Sequence, residues 1–163
     1  MRLTADRVAA EAAWVRDRSD VVVPLLNETR RRLGEEFETE VGTVSSDQYR
    51  DEVRAVFADG DVAVNVAGYV AILRELDVEG DYPGFVVDEV LGRELAATIA
   101  GGSPLSLLAQ ATFHYADVAT HTDGGAGADD LDAALAAGFQ TRLPGWDWQA
   151  GESPFAVDSS RPE

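Results

Sequence analysis

Ser45-Ser46-Asp47-Gln48-Tyr49-Arg50-Asp51-Glu52-Val53-Arg54-Ala55-Val56-Phe57-Ala58-Asp59-Gly60-Asp61 is the stretch from which the fold class is read. Ser45 followed three residues later by Gln48 is the pattern of a capping box, in which each side chain satisfies the other's orphan backbone N–H. It predicts a helix through about Ala58, with Gly60 placed to end it. Asp61 then caps another helix, Val62 to Leu76, which is apolar on most sides (Val62, Val64, Val66, Tyr69, Val70, Ile72, Leu73, Leu76). Such a helix suits the centre of a bundle. Its β-branched content leaves a strand open for Asp61 to Val66.

Upstream, Thr4 caps a first predicted helix to about Asp17, with Val8, Ala12 and Val15 on one apolar stripe. Ser19 or Asp20 starts a second, to about Glu40, with Pro24 near its first turn, where a missing N–H costs least. Glu28 with Arg32, Arg31 with Glu35 and Arg32 with Glu36 form i, i+4 opposite-charge pairs along it. Downstream, a loop from Asp77 to Pro83 precedes a fifth helix, Phe85 to Ala100, stopped by Gly101 and Gly102. Ser103-Pro104 reads as cap and first position of a sixth, to about Thr120. The expectation is an all-α protein: a single bundle of about six or seven helices with an extended, aromatic-containing C-terminal arm. Its parts are a helical core over 1–121, a Gly-rich joint over 122–128, a short helix over 129–143 and an arm over 144–163. No internal repeat at a fixed period is present.

Formal charge is -17, from 30 Asp+Glu against 13 Lys+Arg, and every basic residue is arginine. Self-repulsion at this density loosens a compact fold in dilute buffer, whereas molar salt shortens the screening length to about 3 Å. The composition resembles that of haloarchaea and other organisms that accumulate salt in the cytoplasm. With 45% hydrophobic residues the chain has the material for a core, so an acidic disordered protein is disfavoured. Cysteine is absent, which removes disulfides, thiolate metal sites and a Cys nucleophile. Met1 to Ala13 lacks a secretory apolar region, and no apolar run approaches the roughly 20 residues that span a bilayer, so the reading is a soluble protein without a membrane partner.

Few constellations carry chemistry. His114, Asp117 and His121 fall at i, i+3 and i+7, within about 60° around one helix. Two imidazoles and a carboxylate suit a divalent metal, but seven residues put the two histidines about 10.5 Å apart along the axis. Leu107, Ala111 and Val118 share their face, so core or interface histidines are the preferred reading and no metal or cofactor is expected. Gly124-Gly125-Ala126-Gly127 lacks the strand and the Lys of a phosphate loop and reads as linker. Arg30-Arg31-Arg32 is the one basic cluster; at charge -17 it makes no nucleic-acid stripe and reads as a helix face laced with ion pairs, so no sequence-specific nucleic acid is expected. Carboxylates are too numerous for any pair to stand out, and no catalytic residue is assigned.

The arm is the informative part. Trp146 and Trp148 are spaced i, i+2 and project to one side of an extended chain, with Phe155 following in a polar context. Indoles are costly to leave in water and are enriched in partner anchors. Leu143, Trp146, Trp148 and Phe155 are therefore the expected partner-binding residues, unless the rings cap the protein's own core. The short amphipathic helices, opening with Leu3-Thr4-Ala5-Asp6-Arg7-Val8 and continuing around Leu25-Leu26-Asn27-Glu28, with an arm from Leu143 onward, resemble head-to-tail connector (adaptor) proteins of tailed viruses, here of a haloarchaeal host. The resemblance covers residues 3 to 100 by pattern and has no diagnostic motif. It implies a ring-forming neck component of a virion, a homo-oligomer contacting portal and tail subunits, with no active site. Two other readings stay open: a haloarchaeal cytoplasmic protein with a small metal or ligand site around His114, Asp117 and His121, and a regulatory, antitoxin-like protein-binding module.

Overall fold

The computed structural model describes residues 2–76, 80–120 and 128–145, and every regular element among them is helical, as expected. Helix α1 (Ala5–Asp17) is capped by Thr4, whose hydroxyl accepts from the Arg7 amide at 3.1 Å. A break at Arg18 leads into α2 (Ser19–Glu36). Helix α3 (Ser46–Phe57) opens with the capping box in full: the Gln48 amide donates to the Ser45 hydroxyl, and the Ser45 amide to the Gln48 side chain. Helix α4 (Gly60–Glu75) follows at 111° to α3. Residues 61–66 are helical, not extended, because Ala63, Val66, Ala67 and Val70 bury one face at i, i+3, i+4 and i+7. Helix α5 (Asp81–Phe85) continues with helical dihedrals into a π-helical stretch (Val86–Gly92) and then α6 (Arg93–Ala100). Gly101, at φ 99°, ends that run in a conformation that favours glycine. Helices α7 (Leu105–Thr120) and α8 (Ala128–Gln140) complete the order.

The bundle is centred on α8 and not on α4. Leu131, Ala133, Ala134, Leu135, Ala136, Ala137 and Phe139 are all buried, and α8 packs on α2, α6 and α7 while also touching α3 and α4. Helix α8 is thus part of the core and ends at Gln140, where the expected short helix over 129–143 stood outside a helical core of 1–121. Small side chains make this possible. A Cβ on Gly138 would lie 2.8 Å from the Ile99 Cβ and 3.0 Å from the Ala96 carbonyl, so α6 and α8 meet backbone to side chain. By contrast, Val64 on α4 is 44% exposed. The core is closed by Tyr49, whose hydroxyl donates to the Val15 carbonyl at 2.7 Å and whose ring meets Phe139 edge-on at 5.3 Å. Burial pushes the Tyr49 hydroxyl well above its ordinary pKa, so it stays a donor.

Several boundaries differ from expectation. Helix α4 begins at Gly60 with Asp59 at its N-cap, where Gly60 was expected to end α3 and Asp61 to cap α4, and α5 begins at Asp81, inside the expected loop from Asp77 to Pro83. Helix α2 stops at Glu36, short of Glu40, because the chain reverses at Glu38 (φ 51°) and the Thr39 amide returns to the Gly34 carbonyl at 2.9 Å. Only glycine at 34 permits this, since a Cβ there would sit 2.6 Å from the Thr39 oxygen. Pro104 lies just outside α7, not in its first turn, and its carbonyl accepts from the Leu108 amide at 3.2 Å.

Candidate interaction site

Helix α2 carries Val22, Leu26 and Leu33 on its buried face, and Arg30 falls on the same stripe. The Arg30 side chain is 1% exposed. Its guanidinium donates to four carbonyls: Gly42 and Pro144 from Nη1, both at 2.7 Å, and Gln140 and Leu143 from Nη2, at 2.7 and 2.8 Å. Gln140, Leu143 and Pro144 lie at and beyond the C-terminal end of α8, where helical carbonyls lack intrahelical partners and the helix dipole is negative. A planar fork of donors suits this cluster as a lysine would not. Burial lowers the Arg30 pKa to about 10, which still leaves it charged at neutral pH.

The same node fixes the connection after α2. The Gly42 amide donates to the Gly145 carbonyl at 3.0 Å, and Asn27 exchanges two hydrogen bonds with the Val44 backbone, at 3.0 and 2.8 Å. Gly145, at φ 117°, is pressed against Gly42; a Cβ there would lie 2.8 Å from Arg30 Nη1 and 3.0 Å from the Gly42 Cα. Residues 143–145 are therefore held to the body where the arm begins. Arg142 adds a bond to Glu52 on α3 at 2.7 Å.

A second feature lies on α1. The N-terminal half of α1, the end of α3 and the start of α4 enclose an open groove of about 510 Å³, walled by Val8, Ala9, Ala12, Phe57, Ala63 and Val64, with Leu3 at its edge. Among the described residues, none that lines it is charged. The starts of both α1 and α4 line it, through Ala5 and Gly60, and Asp59 makes no side-chain cap at the latter. The opposite side of α1 is braced: buried Glu11 accepts from Arg7 and Arg74, each at 2.8 Å, and Arg7 also pairs with Glu75. Arg74 and Arg18 lie over the Trp14 ring, 4.5 and 5.1 Å from its centroid, and Arg18 grips Asp132 of α8. These three arginines and three carboxylates cancel, so α1 is anchored without adding to the charge of the surface.

Leu143 is 2% exposed and packs in its own core, which removes it from the docking residues. Trp146, Trp148 and Phe155 lie outside the described residues. His114 is exposed, and Leu107 and Val118 on its face are 60% and 49% exposed; the stripe turns outward, which discards the core alternative. His121 lies outside the described residues, among which no group of three His, Asp or Glu side chains is arranged to hold a metal ion. Arg30 was missed: the Arg30-Arg31-Arg32 triplet is not one laced face, because Arg31 pairs with Glu28 and Glu35 in solvent while Arg30 points inward. Its signal was its place at Leu26 plus four, in register with the apolar stripe.

The helical body and the start of the arm are not separable in family terms either. The chain belongs to the family described as a domain of unknown function (DUF7984). The match spans residues 1–159, so the family's domain runs through the Arg30 node and into the arm. No curated protein and no solved structure matches the chain.

Proposed function

We propose that this chain is a non-catalytic interaction subunit of a larger assembly, whose helical body presents a C-terminal arm to a neighbouring subunit. The observation that carries the reading is the Arg30 node, which commits a fully buried arginine and two close-packed glycines to fixing where the arm leaves the body. A fixed exit lowers the entropic cost of docking the residues beyond it. The outward stripe of Leu107, Ala111, His114 and Val118 adds exposed apolar surface of the kind that partners cover. The acidic, lysine-free composition favours a haloarchaeal setting, and the connector resemblance makes the assembly concretely a ring at the portal-to-tail neck of a haloarchaeal virus.

The test compares the full chain with one ending at Gly145, which keeps the four described carbonyls that accept from Arg30. In molar KCl the shorter chain should melt within a few degrees of the full one, while sedimentation shows the higher-order species lost. A shortened chain that assembles like the parent, or a full chain that remains a monomer with and without portal protein, would refute the reading.

A further inference from the structure

We infer that the groove between α1 and α4 is the seat for the arm of a second copy of this chain, with Trp146 and Trp148 as its anchors. The inference rests on the docking-arm reading and names the acceptor. Groove and arm match in chemistry. The walls are uncharged and apolar, and the positive ends of two helix dipoles meet at the rim, at Ala5 and Gly60. The arm offers Trp146-Asp147-Trp148, two indoles on one side of an extended chain with a carboxylate opposite, and carries four acidic residues, Asp147, Glu152, Asp158 and Glu163, against Arg161. Indoles filling an uncharged apolar pocket, with the acidic residues of the arm drawn by the positive helix ends at its rim, is a combination both partners satisfy. A volume of about 510 Å³ is within the range of pockets that bury compact ligands.

Chain length selects a second copy over the same one. The arm starts at Gly145, against Gly42 and Arg30, and no residue of α2, of α8 or of the connection between α2 and α3 lines the groove. Trp146 and Trp148 stay within about 4 and 11 Å of the Gly145 Cα by backbone reach, which keeps their backbone beside Gly42 and the end of α8, neither of which lines the groove. The groove they fill therefore belongs to a copy packed against the root of the arm, within that reach of Gly145. Arm and groove on different parts of one surface make a head-to-tail contact, the kind from which rings are built when the rotation between copies closes.

The test uses full-length chains in molar KCl. One variant carries Trp146→Ala with Trp148→Ala; the other carries Ala9→Glu with Val64→Glu, two exposed groove positions, or Ala9→Glu alone if the pair lowers the melt. Each variant by itself should associate about a hundredfold or more weakly than the parent, and an equimolar mixture should form a one-to-one complex, because the intact arm of one meets the intact groove of the other. Groove variants that assemble like the parent while the arm variant does not would overturn the groove assignment and leave the docking arm standing. A mixture that stays monomeric would equally overturn it. A parent chain that never associates would remove the docking-arm reading itself.

Discussion

Replacing Arg30 with methionine keeps most of the buried volume and removes the donors. The four carbonyls do not suffer equally. Those of Gly42 and Pro144 are partly buried and can take water, whereas those of Gln140 and Leu143 are enclosed. Hydrogen bonds from a charged donor contribute about 1.5–3 kcal/mol each, so losing the two enclosed ones costs about 3–6 kcal/mol. That is a large share of the roughly 5–15 kcal/mol that holds a domain together. For a chain of this length it corresponds to a fall in melting temperature on the order of 10–20 °C. Arg30→Lys should recover part of this, since an ammonium cannot reach four carbonyls in a fork. Arg31→Met, which removes exposed ion pairs only, should leave the melting temperature close to that of the parent. Circular-dichroism melts in molar KCl compare the three. The penalty should not vary between pH 6 and 9, where folded and unfolded chains both hold the proton. Burial lowers the folded pKa to about 10, so above that value the unfolded chain, whose arginine keeps its ordinary higher pKa, binds more protons and stability contributed by this group rises with pH. An Arg30→Met protein melting within a few degrees of the parent would refute the argument that the guanidinium organises the end of α8.

At charge -17 the fold should weaken as KCl falls from molar to about 0.1 M, where the screening length reaches about 10 Å; a helical signal and melting temperature unchanged across that range would contradict it. Gly138→Ala places a methyl 2.8 Å from the Ile99 Cβ, and the overpacking should cost about 1–3 kcal/mol despite alanine's better helix propensity, read from denaturant midpoints. Ser45→Ala opens the capping box of α3 and should cost about 1 kcal/mol in the same assay. Arg7 and Arg31, by their hydrogen bonds, hold Glu75 and Glu28 below the ordinary carboxylate value of 4.5. Stability from these exposed pairs is therefore present at neutral pH and lost as pH falls below 4.5, and Glu28→Gln with Glu75→Gln should flatten that part of the acid melting profile.

Local signals in the sequence carried most of the helices. Thr4, Ser45 and Gly101 mark ends through chemistry confined to one turn, and the structure uses each as read. What escaped was tertiary. The end of α2 depends on a Thr39 carbonyl closing over Gly34, and nothing in helix propensity at 37–40 announces that. Helix α8 was legible in principle, since Leu131 to Phe139 is apolar or small on every side except Asp132, the mark of a buried helix; the neighbouring Gly-rich segment disguised it as an appendage. Arg30 hid in a basic triplet, although its spacing from Leu26 and Leu33 placed it on the core stripe. The groove needed three elements to meet, and no one-dimensional pattern shows that Ala9 and Val64 face a common space.

The position of α8 at the centre also bears on how the molecule is born. Synthesis proceeds from the N-terminus, so α1 to α7 leave the ribosome before the helix they surround. Until residues 128–140 emerge, α2, α6 and α7 can pack on one another but lack the helix that fills the space between them, and the Arg30 guanidinium awaits acceptors that lie 110 to 114 residues further along the chain. Folding on the ribosome should therefore be late and abrupt, with an exposed, aggregation-prone intermediate beforehand. A released fragment 1–120 should bind hydrophobic dye and lack a cooperative melt.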